Sequence, residues 1–219
     1  MKRLGALLSV SLLLAACGGS TVVYYKLAIR TDTPEQRDEL IAASMRVVER
    51  RLSHLAANLS DKKVQVSDDE VTLKLEIDSS EAADALTAEL IAPFSLRVMQ
   101  EAPTEKADIV VEGHGGFSET GLTQKHLQWV IAGKDEGGKG SVQLLFTPEG
   151  RTIMGKVFKE NKGKSIGLFV REKLVSKLTV ESAEVKDDII ITDIPSAEMA
   201  EIFADDVNVG LRVTFTPST

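Results

Sequence analysis

A single cysteine, Cys17, leaves this 219-residue chain without an internal disulfide. Histidine is almost as scarce. His54, His114 and His126 are far apart, and no pair has the i, i+4 or short-loop spacing that seats two imidazoles on one ion. No metal and no cofactor is therefore expected. Aromatic residues make up 5%, with one Trp and two Tyr, too few for a base-stacking platform. Basic residues number 26 against 33 acidic, a formal charge of −7. Such a body is repelled by phosphate backbones, which excludes nucleic acid as a partner. No apolar run reaches the roughly 20 residues that a membrane-spanning helix needs.

Catalytic motifs are missing as well. No G-x-S-x-G elbow occurs. Residues 133–140 nearly fit a phosphate loop, but Gly140 stands where Ser or Thr must hold the metal, and the segment leads into a strand. Gly163-Lys164-Ser165 lacks the earlier glycine and also precedes a strand. The carboxylate pairs Asp68-Asp69, Asp187-Asp188 and Asp205-Asp206 fall at turns or helix ends, where adjacent acids are usually solvated. No catalytic residue is assigned, and the chain is read as not an enzyme.

What is present begins at the N-terminus. Lys2 and Arg3 precede an apolar run over residues 4–14, and Leu14-Ala15-Ala16-Cys17 follows. A basic flank, a short apolar core and small residues before a cut make an export signal, residues 1–16. The run is too short for a transmembrane helix, and a plain secretory signal with an incidental Cys is the other alternative. The segment resembles the lipobox of bacterial lipoproteins. That resemblance implies lipidation of Cys17 with acyl chains of the palmitate type. At about 0.8 kcal/mol per buried methylene, two chains hold durably where one is marginal. The expected place is the bacterial cell membrane or outer membrane, on the extracytoplasmic face, with residues 17–20 as lipidated Cys and spacer.

Beyond the spacer the fold class expected is α+β, two ferredoxin-like βαββαβ halves with antiparallel sheets. The first half covers residues 21–100. Thr33-Pro34-Glu35-Gln36 reads as a helix start. Ile41, Met45, Val48, Leu52, Leu55 and Leu59 then form one apolar stripe, expected to pack on the chain's own sheet, with a coiled-coil partner as the alternative. Strands are expected at residues 64–67 and 71–77, with Asp68-Asp69 as their turn. A helix after Ser79 stops at Pro93, and a strand over residues 94–99 closes the half. Residues 101–140 read as a linker holding the short strand 109–111, a short helix capped by Thr123 and ending near Ala132, and a mobile Gly/Lys-rich stretch.

The second half, residues 141–219, echoes the first in order. Thr147-Pro148-Glu149 repeats Thr33-Pro34-Glu35, Ser196-Ala197-Glu198 repeats Ser79-Ser80-Glu81, and Leu211-Arg212-Val213 repeats Leu96-Arg97-Val98. This suggests an internal duplication, although any two α+β modules share some such punctuation.

A family resemblance rests on the second half. Gly121-Leu122-Thr123, then the run 142–150 (VQLLFTPEG), then 161–169 (NKGKSIGLF), resembles the first periplasmic domain of SecD, a subunit of the bacterial Sec export machinery. Val48-Glu49-Arg50-Arg51-Leu52 and Phe94-Ser95-Leu96-Arg97-Val98 resemble that family's helix and strand motifs upstream. Departures occur at Arg171-Glu172, where SecD usually has Asp-Gly, and at Ser176-Lys177-Leu178, where it has a small-residue-Pro segment. The family's head insertion would shrink to roughly residues 102–121, and the membrane helices of SecD have no counterpart here. The resemblance implies a SecD-like module that contacts polypeptides, exported ones or those of the translocon and envelope, and not the proton-driven motor. Strand addition at an open sheet edge is the expected physical route. The alternative is a structural or accessory cell-envelope lipoprotein with no export role.

Overall fold

The computed structural model describes residues 19–31, 33–67, 70–134, 136–181 and 188–218. The expected signal, Cys17 and the Asp68-Asp69 turn lie outside the described residues. Among those described, no helix is long and apolar enough to cross a membrane.

The first unit begins with strand β1 (Thr21–Ile29) and helix α1 (Pro34–His54). The Thr33 hydroxyl accepts the Gln36 N–H and Pro34 occupies the first helical turn, as the sequence motif requires. Strands β2 (Leu59–Ser67) and β3 (Glu70–Ile77) follow, then helix α2 (Ser80–Ile91), capped by Ser79. Val71, Leu73, Leu75 and Ile77 all point into the core, which fits the period-two pattern of β3. α1 packs on this sheet through Leu40, Ala43, Val47, Val48 and Leu52. The buried stripe is thus rotated from the expected one. Ile41, Met45 and Leu55 are half-buried at its margin, and Leu59 belongs to β2.

The sheet closes differently from expectation. Its strand order is β12-β1-β3-β2, where β12 is Val213–Ser218. The antiparallel ferredoxin-like order is kept, but the place beside β1 goes to β12 and not to the strand after α2. Burial gives the reason. The position beside β1 has one wet face, and β12 alternates to suit it, with Val213 and Phe215 buried and Thr214 and Thr216 exposed. Phe215 also meets Tyr25 edge-on at 6.2 Å. Strand β4 (Leu96–Ala102) buries Leu96 and Val98 in one core and Met99 in another, so it needs cover on both faces.

That cover comes from a second, inserted unit. Its strands are β5 (Ile109–Val111), β6 (Gly115–Thr123), β7 (Leu127–Lys134), β8 (Gly140–Phe146), β9 (Ser165–Val170), β10 (Lys173–Thr179) and β11 (Asp188–Ile194). Its helices are α3 (Pro148–Glu160) and α4 (Ala197–Arg212). One sheet has the order β10-β9-β4-β6-β5 and another β11-β8-β7. Residues 101–140, read as a linker, thus contribute β5, β6 and β7. The expected helix after Thr123 is only a 3-10 turn, Gln124–His126. The Trp129-Val130-Ile131 run then pairs with β8 and continues as strand. The second half does not repeat the first sheet either, because β8 pairs with β7 and β11 while β9 pairs with β4 and β10. The molecule is a mixed α/β structure with antiparallel sheets and four helices among the described residues, and the two-ferredoxin description fits it only loosely.

Two buried polar residues of α4 anchor it, the first to the other unit and the second within its own. Asp205 on α4, 8% exposed, accepts from Arg46 Nε at 2.8 Å, Arg46 Nη2 at 2.7 Å and Arg50 Nη1 at 3.0 Å, all from α1. Asp205 is therefore not the solvated acid that its neighbour Asp206 suggested. Asn208, also on α4, donates to Val130 O at 2.8 Å and accepts from Val130 N at 2.9 Å, serving both backbone groups of that β7 residue.

Candidate functional site

Strand-addition sites are open edges, and the three sheets offer six. β5 is three residues long. β12 carries Pro217, which has no N–H to give. The ladders of β10 and β11 are broken between Leu174 and Ser176 and between Ile191 and Ile194. β7 is regular from Trp129 to Lys134, but Asn208 of α4 already takes both backbone groups of Val130 on its outer side. The β2 ladder runs uninterrupted from Asp61 to Ser67, one residue longer than that of β7.

The side chains of β2 follow from its register. Lys62, Val64 and Val66 stand opposite Leu75, Leu73 and Val71, whose side chains lie beneath the helices. Cross-strand partners share a face, so these three also point toward the helix layer. α1 covers them incompletely: Val64 is 37% and Val66 56% exposed. Lys62 reaches Glu49 on α1, and Arg37 Nη2 lies 3.5 Å from the Ser67 carbonyl oxygen. A hollow of about 500 Å³ opens beside the start of the strand, lined by Glu49, Leu52, Ala57, Leu59, Asp61 and Lys62. The arrangement offers backbone hydrogen bonds along one edge and an apolar shelf under alternate side chains. Asp61, Lys62 and Lys63 are the charges that keep such an edge from pairing with its own copies.

The other residues weighed from sequence do not converge. His54 ends α1, His114 lies in the turn before β6, and His126 Nδ1 accepts the Thr123 N–H at 3.1 Å. Among the described residues no three His, Cys, Asp or Glu side chains are grouped to hold a metal ion. Asp188 accepts from Gln143 Nε2 at 2.8 Å, while Asp187 lies outside the described residues. Residues 133–140 join β7 to β8, with Asp135 outside the described set, and Gly163-Lys164 turns into β9.

No family model matches the chain, and no curated protein does. Solved structures of SecDF do resemble it. One, of SecDF as a membrane component that enhances protein export, is 16% identical with a TM-score of 0.48, covering 91% of this chain and 98% of that one. Another, of SecDF in a super-membrane-facing form, is 16% identical with a TM-score of 0.49, covering 91% of this chain and 30% of that one. A third, of SecDF from Thermus thermophilus, a translocon-associated membrane protein, is 17% identical with a TM-score of 0.52 over 89% of this chain. This chain spans 30% of the length of that protein. The resemblance read in the sequence is thus met by a shared fold, common to this chain and part of SecDF.

Proposed function

We propose that this protein is a non-enzymatic, SecD-like polypeptide-contacting module, anchored through lipid on Cys17 at the extracytoplasmic face of a bacterial membrane. Its partners are extended segments of exported polypeptides or of translocon and envelope proteins. The observation that carries the reading is the β2 edge, whose regular ladder lies beside the open shelf of Val64 and Val66. Backbone pairing along such an edge is tolerant of sequence, and alternate side chains sample the shelf. The fold shared with a translocon-associated protein supports the same reading. Leu14-Ala15-Ala16-Cys17 supports the anchor.

The test is photocrosslinking in cells. A photoreactive residue at Val64 or Val66 is expected to capture exported polypeptides, and one at Val110 on the three-residue β5 edge is not. Cys17→Ser should move the protein out of the membrane fraction and lower the yield at both β2 positions. Equal yields at Val64 and Val110, or capture of one stable envelope partner only, would count against the export role.

A further inference from the structure

A cleft of about 560 Å³ lies at the seam between the two units. The chain crosses from one unit to the other at two places, and both line it: Ala92, Pro93 and Phe94 on the way out, Arg212 and Val213 on the way back. The approach is close, since a Cβ on Gly210 would come within 2.3 Å of the Phe94 ring. Five cations line the cleft, Arg30, Arg51, Lys125, Arg171 and Arg212, and no carboxylate does. In a chain of net charge −7 this is a local reversal of sign.

Two of the five are committed to backbone. Arg30 Nη2 donates to Leu211 O at 3.1 Å, and Arg212 Nη2 donates to Gln128 O at 2.5 Å. The other three are not. The side chains of Lys125 and Arg171 make no hydrogen bond or salt bridge among the described residues. Arg51 keeps only 16% of its side chain exposed and has a distant partner, Glu89, at 3.8 Å. Its Nη1 is buried with no hydrogen-bond partner among the described residues. Burial first, and then the charge of Arg171, pulls the Arg51 guanidinium below its ordinary pKa. A buried guanidinium that faces another cation across an acid-free cleft is costly in the empty state.

An anion would reverse that cost. Guanidinium forks suit carboxylate and phosphate alike. Three cations whose one acid partner among the described residues is Glu89, 3.8 Å from Arg51, match a dianion better than a monoanion, and a phosphate monoester carries about −1.5 to −2 at neutral pH. The volume is in the range of small-molecule sites, which is more than a bare phosphate fills. Phe94, Leu127, Leu211 and Phe215 supply apolar wall. We infer that this cleft binds an organic phosphate monoester, with Arg51, Lys125 and Arg171 on the phosphate and the Phe94–Leu211 side against its apolar part.

The inference is independent of the polypeptide reading. Calorimetric titration of the folded protein at fixed ionic strength tests it, with phenyl phosphate, inorganic phosphate and benzoate as probes. Phenyl phosphate should bind at least tenfold more tightly than either of the others, for it alone combines dianion and apolar body. Arg171→Gln and Lys125→Gln, whose side chains make no hydrogen bond or salt bridge among the described residues, should each weaken it at least tenfold. Lys63→Gln, on the β2 edge, should leave it unchanged. Vesicles containing phosphatidic acid that compete with phenyl phosphate would support the same site with a lipid as the source. No saturable phenyl phosphate binding, or binding that Arg171→Gln and Lys125→Gln leave intact, overturns the assignment.

Discussion

Asn208 is a buried side chain that serves a strand of the inserted unit directly. Its amide takes the place of a strand neighbour for Val130, accepting the N–H and donating to the carbonyl. Asn208→Ala leaves both buried groups without partners, at about 1–3 kcal/mol for each unsatisfied group. A loss of about 2–4 kcal/mol in urea unfolding is the expected result, while Lys63→Gln on the surface should change little. Nothing in the local sequence marks Asn208 for this role, since its partner lies on β7, far off in the chain. The helix caps were legible for the opposite reason. Thr33, Ser79, Thr147 and Ser196 each accept the N–H three residues on, a contact that a four-residue window contains whole. Arg171 and Glu172 show the limit of such windows. Both have positive φ, 47° and 65°, in a turn where Gly would be at ease. Glu172 is held there by Arg97 and by the Ser95 hydroxyl, both from before β4 ends.

At the scale of elements, β4 shows how strands are pinned. Glu101 accepts the Ser165 N–H from β9 at 3.0 Å and faces Lys177 of β10 at 3.3 Å. These contacts, the backbone one first, hold its carboxyl below the ordinary glutamate value of 4.5. The folded state therefore takes up this proton less readily than the unfolded chain. The stabilisation is full above the ordinary value and is lost as pH falls through the depressed folded value. Glu101→Gln should be less stable at neutral pH and should show a shallower acid limb in a stability–pH profile. A limb unchanged by the substitution would remove Glu101 from this role. Element type was largely readable from sequence, but strand partners were not. Leu96-Arg97-Val98 and Leu211-Arg212-Val213 look alike locally, yet the first is a central strand and the second is the end of α4 running into an edge strand. Met99 was the available signal, an apolar residue that breaks the alternation and so asks for a second covered face. The edge of β2 was legible as a strand, while its exposed shelf depends on where α1 comes to rest.

For the whole molecule, the two units are stitched by a shared helix and a shared strand. α4 buries Ala200, Ala204 and Val207 in the inserted core and Val209 in the first, and β12 then completes the first sheet. Phe215→Ala should cost about 3–4 kcal/mol by emptying the place beside Tyr25. It should do so within one urea transition, reported alike by far-UV circular dichroism and Trp129 fluorescence. Two separate transitions in the unsubstituted protein would mean that the units fold independently. The cationic seam was hidden from sequence because its charges come from five separate stretches of chain.

The pairing of β1 with β12 also has a consequence in time. A ribosome making roughly 5–20 residues per second needs on the order of ten seconds or more to travel from Ile29 to Val213. Throughout that interval the newborn β1 has one flank bare. The molecule begins life as a template awaiting its own missing neighbour, and whichever factor shields nascent chains must shield that flank until synthesis catches up.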